Sequence, residues 1–362
     1  MSTHSLSALL IYIATFAIAA LVTLWATPLI VRLATHLGVI DSVEDERRVH
    51  DAPTPRIGGI AVFFGFAVAL FAVLGFSLAS PFALLPSALH GTHAQQVEVL
   101  SDQFETAHRL VGLLFGSLLI LGVGIWDDVM GMQPRNKFVA QVVVALASML
   151  YGFVIPGITN PFDHNPNTNW IEFPVWASIP ITLVWYVGLM NAINFLDGLD
   201  GLLAGVAAIS SLFLFVIAVM HANPVVALVV IALAGSALGF LPFNFNPARI
   251  FLGDAGSLFI GYVFATVSII GASTAAIAVS IIVPFLVLAL PIVDTAAVIV
   301  RRASAGKRIT EADRGHFHHQ LIFRFGLNVR QAVLLIYAVC FVLGAVALAI
   351  SGGFTHVFRH PT

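Results

Sequence analysis

The sequence predicts an all-α fold: a polytopic integral membrane helical bundle of about ten transmembrane helices. Hydrophobic residues make up 59% of the 362 positions and charged residues only 9%, where a soluble domain carries about 25% charged residues. The apolar residues also gather into about ten runs that approach the roughly 20 residues a spanning helix needs. The loops between them are too short for a soluble unit, so residues 1–362 read as a single membrane-embedded domain.

The first run, from about Leu6 to Val31, has no Lys or Arg before it and exceeds the h-region of a secretory signal, so it is expected to stay as the first helix. The remaining spans are expected near 57–80, 109–126, 137–155, 175–194, 201–220, 224–242, 257–272, 275–300 and 331–351. The single cysteine, Cys340, falls in the last of these, which excludes a disulfide framework or a thiolate metal site built from this chain alone. A formal net charge of −2, with the charges segregated by loop rather than forming one basic face, gives no support to nucleic acid as a partner.

An even number of spans puts both termini on one side. The loops 32–56, 127–136, 195–200, 243–256 and 301–330, with their flanks, then hold 14 of the 16 Lys and Arg residues, leaving Arg109 and Arg359 opposite. By the positive-inside rule the basic set faces the cytoplasm. The opposite loops, 81–108 and 156–174, read as ordinary solvated loops with no assigned chemistry, and no fixed-period repeat is visible.

The cytoplasmic loops carry residue types that are costly at a membrane boundary unless paired or used. The third span ends in Asp127 and Asp128, adjacent carboxylates at a helix end whose carbonyls are already negative. A divalent cation, or a Lys or Arg such as Arg135 or Lys137, would relieve the repulsion, and hard oxygen ligands favour Mg²⁺. The alternative is a solvated charged turn.

The fifth span runs into Asn191, Asn194, Asp197 and Asp200, punctuated by Gly198 and Gly201. Nine residues rotate an unbroken helix by half a turn, so Asn191 and Asp200 could not face one ligand on it. The glycines suggest a break that lets amides and carboxylates converge on a sugar or ribose, with helix capping as the plainer alternative. In the next loop Asn244, Arg249, Phe251 and Asp254 could serve an amide contact, a phosphate, a stacked base and a cation. Capping by Asp254 of a helix beginning near Ser257 competes with the last of these.

The longest cytoplasmic loop gathers Arg301, Arg302, Lys307, Arg308, His316, His318 and His319. Zinc is disfavoured because useful sites draw ligands from separated positions. Phosphate matches better, through Arg pairing and histidine proton exchange. Anchoring of Arg301 and Arg302 to anionic lipid remains the bland reading.

These residues resemble the polyprenyl-phosphate N-acetylhexosamine-1-phosphate transferases, over about Arg47 to Gly326. The resemblance rests on ordered blocks: Arg47-Arg-Val-His50 with Pro55-Arg-Ile-Gly-Gly59, the Asp127-Asp128 pair, Asn191 to Gly201, Pro247 to Ser257, and His316-Phe-His-His319. The histidine block looks like that of the initiating GlcNAc-type enzymes rather than the peptidoglycan translocase. Arg48 stands where relatives often have Lys.

The resemblance implies transfer of GlcNAc-1-phosphate, or a related N-acetylhexosamine-1-phosphate, from the UDP-sugar to undecaprenyl phosphate with release of UMP. It implies Asp254 as ligand of Mg²⁺, with Mn²⁺ able to substitute, and Asp127, Asp128 and His316 as the catalytic group. Asn194, Asp197, Asp200 and Asn244 would hold the nucleoside side and Phe251 would stack on uracil. Arg302, His318 and His319 would hold pyrophosphate, and Arg48 and His50 complete the substrate-binding set. The expected setting is a bacterial inner membrane with a cytoplasmic active site, in contact with membrane lipid, and a homodimer is compatible with it. The peptidoglycan phospho-MurNAc-pentapeptide transferase is the nearest alternative. A cation-coupled transporter is disfavoured because the acids lie at span ends, with Asp294 the one clearly inside a span.

Overall fold

The computed structural model describes residues 3–41, 54–79, 93–159, 170–272 and 317–357, with single helical positions at 289, 292, 293, 297, 300, 302 and 304. Helix α1 is Thr3–Leu37, followed by β1 (Ile40–Asp41), β2 (Thr54–Pro55) and α2 (Gly59–Ala79). Next come α3 (His93–Met130), α4 (Pro134–Met149), β3 (Gly157–Thr159), β4 (Trp170–Glu172) and α5 (Val175–Leu196). Helices α6 (Leu202–Met220), α7 (Pro224–Asn244), α8 (Gly253–Ala272), α9 (Phe317–Phe323) and α10 (Val329–Val357) complete the described elements.

Among the described residues, 7 helices are long and apolar enough to cross a membrane: α1, α3, α5, α6, α7, α8 and α10. Helix α2 carries a shorter apolar stretch, Gly59–Gly75, and α4 has 16 residues. The chain is therefore a polytopic helical protein. The expected span at 275–300 lies outside the described residues apart from the isolated helical positions.

Several boundaries differ from expectation: α1 runs on to Leu37 and α10 to Val357, α4 stops at Met149, and two further differences have a local physical reason. Residues 93–108 were expected in a solvated loop, but they continue α3 as helix. Their Gln, Glu and Ala content favours helix, and Glu105 pairs with Arg109 one turn on. Helix α8 begins at Gly253 rather than near Ser257, which puts Asp254 in its first turn.

Helices α7 and α8 form the centre. Helix α7 packs on α1, α2 and α6, while α8 packs on α2, α3 and α5. Both are buried along most of their length, whereas α1 and α10 turn most of their apolar surface outward. That inversion suits a solvent of lipid tails. Some hydroxyls inside the bundle are satisfied locally: Thr27 Oγ1 donates to the Thr23 carbonyl at 2.7 Å, and Ser148 Oγ shares a hydrogen bond of 2.8 Å with the Tyr262 hydroxyl.

The start of α8 is clamped by close backbone approach. A Cβ at Gly59 would lie 2.1 Å from the Gly256 nitrogen, and one at Gly124 would lie 2.4 Å from Ala255 Cα. Glycine alone permits that approach. Beside it, Gly58 and Gly59 donate backbone N–H groups to the carbonyls of Phe251 and Leu252 at 2.9 and 2.8 Å, and Phe251 returns one to Pro55 at 2.8 Å. The chain before α2 and the chain before α8 thus form one rigid platform.

Candidate active site

The break predicted between Asn194 and Gly201 is present. Helix α5 ends at Leu196, and Gly201, at φ +80°, turns the chain into α6. Because the helix stops before Asp197, Asp197 and Asp200 leave the helical face that carries Asn194, and the left-handed Gly201 then starts the next helix. This turn meets the end of α3 and the start of α8.

Lys137, on the first turns of α4, joins these elements. Its Nζ lies 2.9 Å from Asp127 Oδ2 and 2.9 Å from Asp254 Oδ1, and donates a longer hydrogen bond of 3.5 Å to Asn194 Oδ1. Of the two cations that could relieve the acidic pair, the structure uses Lys137; Arg135 is exposed. Asn194 Nδ2 donates to Asp254 and, at 2.7 Å, to Ser257 Oγ. Asp127 Oδ1 also accepts the Met132 N–H at 2.7 Å, which fixes the turn after α3.

Asp128 points elsewhere. Its two carboxylate oxygens accept the backbone N–H groups of Asp254 and Ala255, each at 2.9 Å. It therefore caps the N-terminus of α8 from a different helix, satisfying donors the helix cannot use itself. This explains why α8 starts early, and why Asp254 is held as a member of the first turn and not as the cap.

A cavity of about 220 Å³ opens beside this group, walled by Asp197, Asp200, Phe251, Asp254, Asp41 and Arg56 among others. Asp200 Oδ2 accepts from Asn246 Nδ2 and from the Ala248 N–H, both at 2.9 Å. Asn244 is buried in the wall with both ends of its amide engaged: Oδ1 accepts the Gly201 N–H at 3.1 Å and Nδ2 donates to the Ile250 carbonyl at 3.0 Å. It thereby ties the two loops together at the edge of the cavity. The Asp197 carboxyl is pushed up to about 8 by enclosure away from water and then by the charges of Asp254 and Asp128.

Arg302 is a buried helical position and does not line the cavity. His318 and His319 fall on α9. Arg48, His50 and His316 lie outside the described residues. Arg56 and Asp41 were not singled out as site residues by sequence, although Arg56 stands inside the Pro55-to-Gly59 block. Its position before two glycines was the available signal.

Among the described residues, no three His, Cys, Asp or Glu side chains are grouped as a metal centre. The donor set nevertheless suits a hard cation. Asp41, Asp197, Asp200 and Asp254 line the cavity with Arg56 as the one described cation, so acidic groups outnumber basic ones in the described wall. Lys137 shows that Asp127 and Asp254 together hold a positive charge. Mg²⁺ needs only one or two carboxylates because it keeps several waters.

Comparison with known proteins places these features in a family. The pattern described as glycosyl transferase family 4 matches residues 110–272. The chain is 32% identical over 340 residues to a Bacillus subtilis protein named probable undecaprenyl-phosphate N-acetylglucosaminyl 1-phosphate transferase, covering 92% of this chain and 84% of that one. It is 33% identical over 338 residues to the Mycobacterium tuberculosis decaprenyl-phosphate N-acetylglucosaminephosphotransferase, covering 88% and 77%. A phospho-N-acetylmuramoyl-pentapeptide-transferase of Listeria monocytogenes, a more distant match, shares 31% over 332 residues, covering 85% and 89%.

Proposed function

This chain belongs to glycosyl transferase family 4, among the polyprenyl-phosphate N-acetylhexosamine-1-phosphate transferases, and from that premise we propose its reaction. It transfers N-acetylglucosamine-1-phosphate, or a related N-acetylhexosamine-1-phosphate, from the UDP-sugar to undecaprenyl phosphate. The step is an initiating one in cell-surface polysaccharide synthesis. An oxygen of the lipid phosphate attacks the sugar-bearing phosphorus of the UDP-sugar. The bond from that phosphorus to the bridging oxygen breaks, and UMP leaves.

The observation that carries this reading is the Lys137 bridge between Asp127 and Asp254, set beside a cavity with Asp197, Asp200 and Phe251 in its wall. Two phosphate anions approach each other only where positive charge is fixed in advance. Lys137 provides a fixed cation, held by carboxylates rather than by solvent. Asp127 sits at the helix end where the lipid phosphate reaches the membrane surface, and it orients that nucleophile. Lipid phosphate has a second pKa of about 6, so little base catalysis is needed at neutral pH. Phe251 and the Asp197–Asp200 turn receive the nucleoside.

Asp254 is the residue that would hold Mg²⁺, with Asp197 within electrostatic range, and the bound ion would neutralise charge developing on the transferred phosphoryl group. The histidines of His316 to His319 and Arg302 supply pyrophosphate contacts in this reading. The protein is multi-pass in a bacterial cell membrane, and the segregation of basic residues supports a cytoplasmic site.

The test is turnover by purified protein in detergent or liposomes with UDP-GlcNAc and undecaprenyl phosphate. UMP and undecaprenyl-pyrophosphoryl-GlcNAc should appear in equal amounts. Absence of UMP release with every UDP-N-acetylhexosamine offered would remove the assignment. Turnover only with UDP-MurNAc-pentapeptide would move the chain to the peptidoglycan branch.

A further inference from the structure

We propose that Arg56 is a nucleotide-phosphate ligand of this site and that Asp41 is its positioning residue, an inference that rests on the transferase reading above. Arg56 is the one cation among the described residues that line the cavity. A guanidinium carries five N–H donors. Among the described residues one is used by a protein acceptor: Nη1 donates to Asp41 Oδ1 at 3.3 Å. Nη2 stands 3.7 Å from Asp128 Oδ1, an ion pair beyond hydrogen-bond length, and both Asp128 oxygens are already occupied by the N–H groups of Asp254 and Ala255.

The Arg56 side chain keeps 35% exposure, on the cavity side of a backbone fixed by neighbours on both sides. The Arg56 N–H donates to the Val39 carbonyl at 3.3 Å, and the preceding Pro55 carbonyl accepts from Phe251 at 2.8 Å. A rigid stem, a tether at one nitrogen and unfilled donors toward an acidic cavity describe a fork held ready for an anion. Guanidinium donors match phosphate oxygens in bidentate fashion. Phe251, whose backbone is bonded to Pro55, brings the nucleoside side of the cavity next to this fork. The anion it meets is therefore the phosphate of the nucleotide rather than that of the lipid.

Asp41 sits on β1, paired in antiparallel register with Thr54 on β2. Its carboxylate is largely buried and restrains the fork without filling it.

The experiment measures inhibition of wild-type turnover by UMP and by uridine, and repeats both with Arg56→Gln, Arg56→Lys and Asp41→Asn. Arg56→Gln should raise the UMP inhibition constant and the UDP-GlcNAc KM by about 10- to 100-fold, the range for losing a charged hydrogen-bond partner. Its uridine inhibition and undecaprenyl phosphate KM should stay within about twofold of wild type. Arg56→Lys, which keeps charge but not the fork, should recover part of the loss. Asp41→Asn should raise the UDP-GlcNAc KM with kcat nearly unchanged. Equal loss of uridine and UMP inhibition would overturn the proposal, because the contact would then be to the base or ribose. So would a rise confined to the lipid KM, or an Arg56→Lys protein that fails to fold. An inactive wild type would instead defeat the underlying transferase reading, and UMP binding by calorimetry would still test Arg56 alone.

Discussion

Lys137 on α4 holds Asp254 on α8 at 2.9 Å, and the same ammonium holds Asp127 on α3 at 2.9 Å. Charge carried on separate helices is thereby locked into one geometry at the helix ends. Lys137→Met keeps the aliphatic stem and removes the charge, leaving the two carboxylates to repel each other. Turnover should fall by about 10²-fold or more, the scale for losing a preorganised electrostatic group. Steady-state kinetics on folded, purified variant checks this; a loss under threefold would remove Lys137 from the mechanism.

Activity should require Mg²⁺ or Mn²⁺ and should be abolished by Asp254→Asn, which preserves shape but not charge. Full turnover in excess EDTA would contradict the metal assignment. The same substitution should cost more than any change in the segments around Glu105 or Glu172, which lie away from the cavity.

Asp197 sets a pH dependence. Its carboxyl is pushed up to about 8, above an unfolded value near 3.9. Between those values the folded state binds more protons than the unfolded state, so this group's contribution to stability is lost as pH rises from about 4 to 8. Thermal unfolding of metal-free protein should show that decline, and Asp197→Asn should flatten it. A cation needs the charged form, so apparent Mg²⁺ affinity should rise with pH up to about 8 and then level. A Mg²⁺ activation curve independent of pH would contradict this.

Much of the site was legible from residue types alone. Acids and amides at helix ends are costly unless used, and that argument found Asp127, Asn194, Asp197, Asp200 and Asp254, which the structure does bring to one cavity and its rim. What composition cannot give is which partner each group takes once distant helices meet. Asp128 and Asp127 are adjacent in sequence, yet one caps α8 while the other holds Lys137. Asn244 looks like a ligand contact in sequence, and the structure adds a tie that sequence does not reveal, to the Gly201 N–H and the Ile250 carbonyl. Arg56 stands in the Pro55-to-Gly59 block without an assigned role, because its meaning depends on Asp41, 15 residues away and outside any motif.

The span pattern predicts sidedness, and α3 makes the test sharp. Its 38 residues extend about 57 Å at 1.5 Å per residue, well beyond the roughly 30 Å hydrocarbon core. Gln95 and Met130, near its two ends, should therefore face opposite compartments. Cysteines introduced at 130 and 310 should label from the cytoplasm and those at 95 and 165 from outside. The native Cys340 is buried and should stay silent. Opposite labelling of 130 and 310 would separate the acidic cavity from the histidine segment and end the shared-site reading.

The glycine clamp carries the last prediction, because it links packing to chemistry without touching substrate. At Gly59 an added methyl would lie 2.1 Å from the Gly256 nitrogen and 2.3 Å from its Cα, and both obstacles are backbone, so neither can swing aside. The start of α8 must shift, and with it Asp254 and the N–H groups that Asp128 accepts. Overpacking of this kind costs about 1–3 kcal/mol, so Gly59→Ala should lower the unfolding temperature. It should also weaken Mg²⁺ activation, since Asp254 moves with the helix. Gly75→Ala, where no heavy atom of the described residues beyond the helix's own backbone lies within 4 Å of the new carbon, is the control in the same helix. Matching stability and Mg²⁺ activation in the two variants would show that α8 is not held by close approach at Gly59.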